Sequence, residues 1–296
     1  MPAKNVRLIL FGAGKSRKKY KANKVILLKD IIESLDNPKI KEIRSLHKKK
    51  YRKKFGKYLI EGKRIVAEAL EHGAKIDSII ISSDYIGDET YQESVLNSGI
   101  RNIELIRVTE KVFLSIAKTE SPQGIIAVIH KEEHSLEKSL GKLPKYPYIV
   151  TLENLQDPGN MGTIIRTAEA AGVDLILVTK NSTDPYGDKA LRSSMGAIFH
   201  VPIVEVEGME WLSLLKINKI QVIATDLSAT KTYGELDYRG GINLIIGNEG
   251  HGISKNLLDQ ADEKIIIPIY GNIDSLNASV ASGILLYKAR EKRGIV

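Results

Sequence analysis

The sequence predicts an α/β protein of two domains, in which a small α/β domain precedes a larger one with a mostly parallel sheet. Three observations support this fold class. At roughly 100–200 residues per domain, 296 residues are enough for two domains. Short apolar runs typical of strands alternate with stretches of helical periodicity. A charged, proline-containing stretch without clear periodicity, residues 131–147, interrupts this alternation and is interpreted as a linker.

The composition limits the class of protein. With 43% hydrophobic and 27% charged residues, the chain has enough apolar material for a core, so disorder throughout is excluded. No apolar run approaches the roughly 18–20 uncharged residues of a membrane helix, and the N-terminus lacks a signal-peptide pattern, so we expect a cytoplasmic protein. The absence of cysteine excludes disulfides, thiolate catalysis and thiolate metal sites. The six histidines show no metal-ligand spacing, so no metal is expected.

Positive charge is concentrated at the N-terminus. The formal net charge is +8, but residues 1–57 contain 19 Lys and Arg against 4 Asp and Glu. The densest part, residues 47–57, interleaves cations with Tyr51 and Phe55, as expected of a surface that follows a polyphosphate backbone. The alternative is a solvated basic arm. The candidate nucleic-acid contacts are Lys48, Lys49, Arg52, Lys53 and Lys54.

Residues 1–30 are interpreted as a basic tail of uncertain structure. Within it, the segment 12–16 follows a strand-like run and resembles a phosphate-binding loop. A P-loop would need a glycine five places before Gly14, where the chain has Ile9. A dinucleotide fingerprint would need Gly or Ala at position 17, which is Arg17. A nucleotide-dependent enzyme that uses this segment is therefore an alternative that both motif rules disfavour.

The predicted small domain starts with a helical stretch over residues 31–54 that is broken at Asn37-Pro38. Helical and strand patterns then alternate, which indicates a sheet covered by helices. The predicted helices are residues 60–72, 90–97 and 111–118, and the predicted strands are residues 79–81, 103–108 and 125–129.

The predicted larger domain has longer strand runs. Their continuous apolar character indicates strands covered on both faces, hence a mostly parallel sheet. Ligands of such sheets bind in the loops at the carboxyl ends of the strands. The predicted strands are residues 149–152, 175–178, 203–206, 222–224, 244–246 and 265–267, and the predicted helices are residues 160–171, 188–198, 208–216, 254–260 and 275–291.

Three loops of the larger domain contain unusual polar residues. In the first, Pro158-Gly159 forms a tight turn and Asn160 is placed to cap the following helix. Arg166 follows six residues later, nearly two turns on and close to the same face, so its guanidinium could lie beside the helix start. The alternative is that Asn160 is only a cap and Arg166 only a surface charge.

The second loop, residues 247–252, follows a strand and contains three glycines, which allow close backbone approach to a ligand. Glu249 lies among them at a strand end, where a carboxylate needs a partner. The third loop leads through a Gly-Asn turn into a helix whose first residues include Ser275 and Asn277. Such short polar groups cap helices or hold a substrate.

Together, in this order and spacing, the three loops resemble the motifs of the SpoU family of RNA ribose 2′-O-methyltransferases. The resemblance covers roughly residues 34–296. It implies a catalytic domain with a deep trefoil knot that binds S-adenosylmethionine, a preceding RNA-binding domain, a homodimer formed through the C-terminal domain, and 23S ribosomal RNA as substrate. The implied organisation is a tail (1–30), a substrate-binding domain (31–130), a linker (131–147) and a methyltransferase domain (148–296).

The resemblance also implies roles for individual residues. The family's catalytic positions fall on Asn160, Arg166, Glu249, Ser275 and Asn277, and its cofactor-binding positions on Thr225, Gly247, Asn248, Ile267 and Leu276. The family suggests that Arg166 acts as a base, but the pKa of a guanidinium is above about 12, so we favour stabilisation of developing oxyanion charge. Glu249 would orient Arg166 or anchor the knot loop. The remaining catalytic candidates would position the nucleotide and the guanidinium.

Two other functions remain open within this family. A descendant of the same scaffold could be a non-catalytic RNA-binding or ribosome-assembly factor, although such a protein could have lost the catalytic candidates that this chain retains. The substrate could also be transfer RNA, although the two-domain layout with a basic N-terminal region is more typical of enzymes acting on large-subunit ribosomal RNA.

Overall fold

The computed structural model describes residues 31–85 and 103–294 of the chain. The basic tail of residues 1–30 and the helix expected at residues 90–97 lie outside the described residues. Within the described ranges, no helix is both long and apolar enough to cross a membrane.

The N-terminal part begins at a sheet edge, where Ile32 forms a parallel bridge with Val108. Two helices follow, α1 (Pro38–Ser45) and α2 (Lys49–Phe55). Proline disfavours a helical conformation at the residue before it, and the Asn37 side chain caps α1 by accepting a hydrogen bond from the backbone of Lys39 at 2.9 Å. The helix predicted over residues 31–54 is therefore wrong for its first seven residues.

A four-stranded mixed sheet forms the first domain. Its order is β1-β4-β2-β3, and β2–β3 is a parallel pair while β1–β4 and β2–β4 are antiparallel. Its strands are β1 (Lys57–Glu61), β2 (Ile76–Ser82), β3 (Glu104–Val108) and β4 (Ile125–His130), and its other described helices are α3 (Lys63–Glu71) and α4 (Glu110–Ile116).

Strand β1 was missed in the sequence, which predicts a helix from residue 60. Tyr58, Leu59 and Ile60 are all buried, so the run shows no alternation. A short continuous apolar run cannot be assigned to strand or helix by periodicity alone.

The stretch at residues 131–147 contains a short helix, α5 (Leu136–Leu140), which Ser135 caps. Leu136 is buried in the core beneath the second sheet. The predicted linker therefore contains a short helix that its lack of clear periodicity did not indicate.

The second sheet has six strands in the order β10-β8-β9-β5-β6-β7, and every neighbouring pair is parallel. The predicted parallel sheet is thus confirmed. Its core strands are fully buried, as continuous apolar runs require. The strands are β5 (Tyr148–Leu152), β6 (Leu175–Thr179), β7 (Ile203–Val206), β8 (Ile220–Thr225), β9 (Gly241–Ile246) and β10 (Glu263–Ile265).

Five helices accompany this sheet: α6 (Pro158–Ala170), α7 (Asp188–Ser194), α8 (Glu210–Ile217), α9 (Lys255–Gln260) and α10 (Ala278–Lys292). Helix α7 is shorter than predicted because Met195 and Gly196 adopt left-handed conformations with φ of 52° and 94°. A 3₁₀ turn, Ala197–Phe199, follows. Helix α10 begins three residues later than predicted.

The two domains share one continuous apolar core and several polar contacts. The rings of Tyr58 and Tyr186 pack with centroids 4.8 Å apart. His47 Nδ1 lies 2.9 Å from Asp188 Oδ2, and Lys131 pairs with Glu205. These contacts hold the first domain and the start of the linker against α7, the loop before it and β7.

Candidate active site

A cavity of about 270 Å³ opens at the carboxyl ends of β8, β9 and β10. This is the edge at which parallel sheets bind ligands. Ser275 lines this cavity. All five residues expected to bind the cofactor line it too: Thr225, Gly247, Asn248, Ile267 and Leu276.

The sequence did not identify the rest of the cavity wall, which includes Asp226, Leu227 and His251. Asp226 and Leu227 follow the end of β8 directly, and His251 lies in the glycine-rich loop. The rule that ligands bind after strand ends could have identified the first two residues. His251 lies within the loop of residues 247–252, but its contribution to the wall depends on how that loop folds.

The glycine-rich loop is a tight hairpin. Asn248 and Gly252 exchange backbone hydrogen bonds of 2.9 and 3.0 Å. A Cβ on Gly247 would lie 2.4 Å from the carbonyl carbon of Gly252, a distance that no side chain tolerates. Glycine at position 247 therefore lets the hairpin close, and its backbone lines the cavity.

Glu249 connects this hairpin to the first loop. Its Oε2 accepts a hydrogen bond from the backbone N–H of Gln156 at 3.1 Å. Its Oε1 accepts from the backbone N–H of Asp157 at 3.2 Å and from Asn160 Nδ2 at 3.1 Å. The carboxylate thus fastens the hairpin to the start of α6.

These hydrogen bonds act on the pKa of Glu249. Partial burial raises the pKa, but the hydrogen bonds from the Asn160 side chain and from backbone amides, including those of Gln156 and Asp157, outweigh burial. The pKa of Glu249 therefore lies below its ordinary value, and the group is ionised at neutral pH.

The cap of α6 is not Asn160, as the sequence predicts, but Asp157. The Asp157 carboxylate accepts a hydrogen bond from the Asn160 backbone at 2.8 Å and from Lys189 Nζ at 3.1 Å. Because Asp157 satisfies the helix start, the Asn160 side chain can reach Glu249 on one side and Asn277 on the other.

Asn277 does cap its helix, as predicted. Its Oδ1 accepts hydrogen bonds from the backbone of Ser279 at 2.9 Å and of Val280 at 3.3 Å. Its Nδ2 donates to Asn160 Oδ1 at 3.1 Å. The three motif loops are thus joined by a continuous chain of side-chain hydrogen bonds, from Glu249 through Asn160 to Asn277.

Arg166 stands apart from this chain. It is exposed on α6, and its side chain makes no hydrogen bond or ion pair within residues 31–85 and 103–294. The expected pairing with Glu249 is therefore wrong, and Glu249 takes the anchoring role instead. At about 100° per residue, six residues place Arg166 about 120° around the helix axis from Asn160, not on its face as predicted.

The candidate nucleic-acid contacts on α2 and just before it divide into two groups. Lys48, Lys49, Lys53 and Lys54 are exposed. The prediction for Arg52 is wrong, because its guanidinium is buried at the domain boundary. Arg52 Nη2 lies 2.7 Å from Asp184 Oδ2, and its Nη1 donates to two backbone carbonyls.

Comparison with known proteins agrees with this site. Residues 147–287 match the SpoU rRNA methylase family, and residues 37–127 match the MRM3-like substrate binding domain. The chain is 37% identical over 259 residues to the 23S rRNA (guanosine(2553)-2'-O)-methyltransferase RlmP of Bacillus subtilis (strain 168), an alignment that covers 88% of this chain and 98% of the relative.

Solved structures give the same result. An AdoMet-bound rRNA methyltransferase from Sinorhizobium meliloti superposes with a TM-score of 0.78 at 31% identity, covering 88% of this chain and 97% of that one. The SpoU methyltransferase AviRb from Streptomyces viridochromogenes, in complex with AdoMet, gives a TM-score of 0.80 at 25% identity, covering 87% and 98%. Because it matches such proteins over nearly their whole length and joins the three motif loops at one edge of its parallel sheet, the chain belongs to the SpoU rRNA methylase family.

Proposed function

We propose that this protein transfers a methyl group from S-adenosylmethionine to the 2′-hydroxyl of a ribose in 23S ribosomal RNA. The observation that carries the proposal is the chain of hydrogen bonds from Glu249 through Asn160 to Asn277 beside the cavity at the strand ends. It holds the three motif loops together around a single concave site. The relative from Bacillus subtilis, named as a 23S rRNA 2′-O-methyltransferase, supports the choice of substrate.

The residues around the cavity fit S-adenosylmethionine. Apolar side chains, including Ile246, Ile267 and Leu285, form a wall suited to an adenine ring. Gly247 lines the cavity with backbone alone, because a Cβ there would clash with Gly252. When bound, the cofactor would supply an electrophilic methyl group on a sulfonium.

The chain's own residues would align the hydroxyl and stabilise its charge. A sugar hydroxyl is a poor nucleophile at neutral pH, so a group must stabilise the oxyanion or accept the proton. Arg166, which is exposed and unpaired among the described residues, is available for an incoming nucleotide. It would stabilise the developing oxyanion while the proton passes to water or to a substrate phosphate. Asn160, Ser275 and Asn277 would position the nucleotide.

RNA would be held by the first domain. The proposed division is a substrate-binding domain over residues 31–130, a connecting segment over residues 131–147 and a methyltransferase domain from residue 148. The exposed lysines Lys48, Lys49, Lys53 and Lys54 form a basic surface suited to phosphates. With ribosomal RNA as its substrate, the protein would act in the cytoplasm.

Two further features are part of the proposal. The segment after β9 would form a trefoil knot: it makes the Glu249 hairpin, adds β10 beside β8, and returns as α10 to pack on α6. The protein would also act as a homodimer through α10, because Val280 and Tyr287, seven residues apart on this helix, are more than half exposed.

The test uses the full-length protein, labelled S-adenosylmethionine and total RNA from cells that lack the gene. We expect one ribose methylation in 23S rRNA, which is then mapped, starting at the guanosine that corresponds to the one named for RlmP. Label in transfer RNA would instead favour the transfer-RNA alternative. RNA binding without methyl transfer, despite cofactor binding, would favour a non-catalytic assembly factor.

A further inference from the structure

A cluster of histidine and carboxylate side chains lies outside the candidate active site, at the boundary between the two domains. Glu68 and His72 belong to α3 and its C-terminal end, and His200 follows the 3₁₀ turn of the second domain. Glu68 Oε1 lies 2.9 Å from His200 Nε2 and 3.6 Å from His72 Nδ1. One potential ligand atom from each residue lies within 4.8 Å of the other two.

The types and spacing of these residues are those of a transition-metal site. Glu68 and His72 are four residues apart, so a helix presents both side chains on one face. Imidazole and carboxylate groups are ligands for divalent zinc, at about 2.0–2.2 Å from the metal. Tetrahedral ligands at that radius are about 3.3 Å apart, so the exposed His72 ring would have to rotate and exchange the 3.0 Å contact of its Nδ1 with the Glu68 backbone oxygen for the metal.

The surroundings of the cluster support this interpretation. His200 Nδ1 lies 3.8 Å from a carboxylate oxygen of Glu169. A carboxylate on the second ring nitrogen is the usual partner of a metal-bound histidine, since it orients the ring and fixes its tautomer. Gly196 lies directly against Glu68, and a Cβ there would be 2.8 Å from Glu68 Cγ. The lack of a side chain at position 196 makes room for Glu68 at the boundary.

The two histidine rings also pack closely, with centroids 3.9 Å apart. From this geometry we infer that Glu68, His72 and His200 bind a first-row divalent metal, with Zn²⁺ as the best match, and that the ion ties the substrate-binding domain to the domain that carries α6.

Such an ion would act near the candidate active site without entering it. Glu169 follows Arg166 by three residues on α6, so the ligand network borders the helix that presents Arg166. A bound metal would fix α3 relative to α6, and thereby the RNA-binding domain relative to the methyl-transfer site. Because its ligands come from both domains, the ion would tie the domains together, with a water at the fourth coordination position.

The experiment measures Zn²⁺ binding to untagged, chelator-treated full-length protein by calorimetry. A parallel titration with Co²⁺ records visible absorption, because the intensity of the Co²⁺ bands reports tetrahedral coordination. We expect one Zn²⁺ per chain, and His200→Ala and His72→Ala should each weaken the affinity at least about tenfold. Zn²⁺ should raise the melting temperature of the wild type but not of these variants, since it binds the folded form.

The matched control is His134→Ala, since His134 also faces a glutamate, Glu132, at 3.5 Å but lies outside the cluster. It should bind Zn²⁺ as the wild type does. Circular dichroism establishes whether each variant is folded. If a histidine variant does not fold, Glu68→Gln is measured in its place. The inference is overturned if the wild type binds no Zn²⁺, or if the His200 and His72 variants bind it with wild-type affinity. These measurements do not depend on methyl transfer.

Discussion

At the scale of single residues, the candidate site relies on neutral and backbone hydrogen bonds around one carboxylate. Glu249 accepts hydrogen bonds from Gln156, Asp157 and Asn160, while Arg166 is left unpaired among the described residues. This division suits an enzyme that reacts with a ribose, because the loop anchor and the group that meets the substrate are different residues. A guanidinium already paired with a carboxylate would be less available to stabilise an oxyanion.

Arg166→Ala should lower the rate of methyl transfer by about 10²–10⁴-fold, the usual loss when an oxyanion-stabilising or proton-transfer group is removed. The affinity for S-adenosylmethionine should stay unchanged, since Arg166 does not line the cavity. Single-turnover kinetics and calorimetry measure the two quantities. Arg166→Lys is the control for charge, and a fully active alanine variant would exclude the proposed role.

Glu249 gives a pH-dependent prediction. The pKa of Glu249 is lowered in the native state, so its ionisation adds to the free energy of unfolding. This contribution is complete above the pKa of an unfolded glutamate, about 4.3. It is lost as the pH falls through the lower native pKa. The wild type should be more stable than Glu249→Gln at pH 7, by an amount that is constant down to about pH 5 and shrinks below about pH 4.

Urea unfolding of both proteins across this range measures the difference. A difference that does not change with pH would mean that the charge of Glu249 is unimportant for the hairpin contact.

At the scale of secondary-structure elements, the cavity is built by loops that follow three strands. The hairpin after β9 closes because Gly247 has no side chain, and α10 starts where Asn277 satisfies its free amides. Asp157 does the same for α6. The ends of two helices and one hairpin therefore meet at one place, and the cavity lies beside them.

Gly247→Ala should abolish or strongly weaken the binding of S-adenosylmethionine, because the new Cβ would lie 2.4 Å from the backbone of Gly252 and force the hairpin open. Calorimetric titration measures the affinity. Gly250→Ala is the matched control in the same loop, since its Cβ would meet nothing closer than 3.6 Å. Equal affinities of the two variants would contradict the close-approach explanation.

At the scale of the whole molecule, the basic segment around α2 has two functions that the sequence does not distinguish. One face contacts the second domain through Arg52 and Asp184, and the other presents lysines to solvent. The buried ion pair thus helps to orient the proposed RNA-binding surface relative to the cavity. Removing one member of a buried pair leaves the other charge uncompensated.

Arg52→Ala should therefore destabilise the protein by about 3 kcal/mol. Lys53→Ala, one residue along the same helix, should leave stability unchanged but weaken RNA binding. It should also reduce the slope of log affinity against log salt concentration by up to about one. Chemical unfolding and RNA titrations at several salt concentrations separate the two effects. The assignment fails if Lys53→Ala has the larger effect on stability.

The proposed dimer is tested on α10. Tyr287→Glu should convert a dimer to a monomer, since it introduces a charge into an exposed apolar stripe of this helix. Leu114→Glu, at a similarly exposed apolar position of α4, should not. Sedimentation velocity measures the masses. A monomeric wild type would refute the proposal.

Much of the fold could be predicted from the sequence. Strand runs such as Ile149–Leu152 lie in the observed parallel sheet because buried parallel strands are continuously apolar. The same property concealed β1, because its last apolar residue, Ile60, was assigned to the following helix and Tyr58 and Leu59 to no element. The short helix α5 was also missed, because its residues lie among charged residues and prolines.

The sequence by itself determined the chemistry that the candidate site can use, because the identity and order of Asn160, Glu249, Ser275 and Asn277 are set by local motifs. Only the tertiary structure decided which of these groups touch. It paired Glu249 with Asn160 rather than with Arg166, gave the helix cap to Asp157, and buried Arg52 between the domains. The reason is that a motif specifies residue types a few positions apart, whereas a hydrogen bond depends on distances between atoms that are about ninety residues or more apart along the chain and meet only when the sheet is assembled.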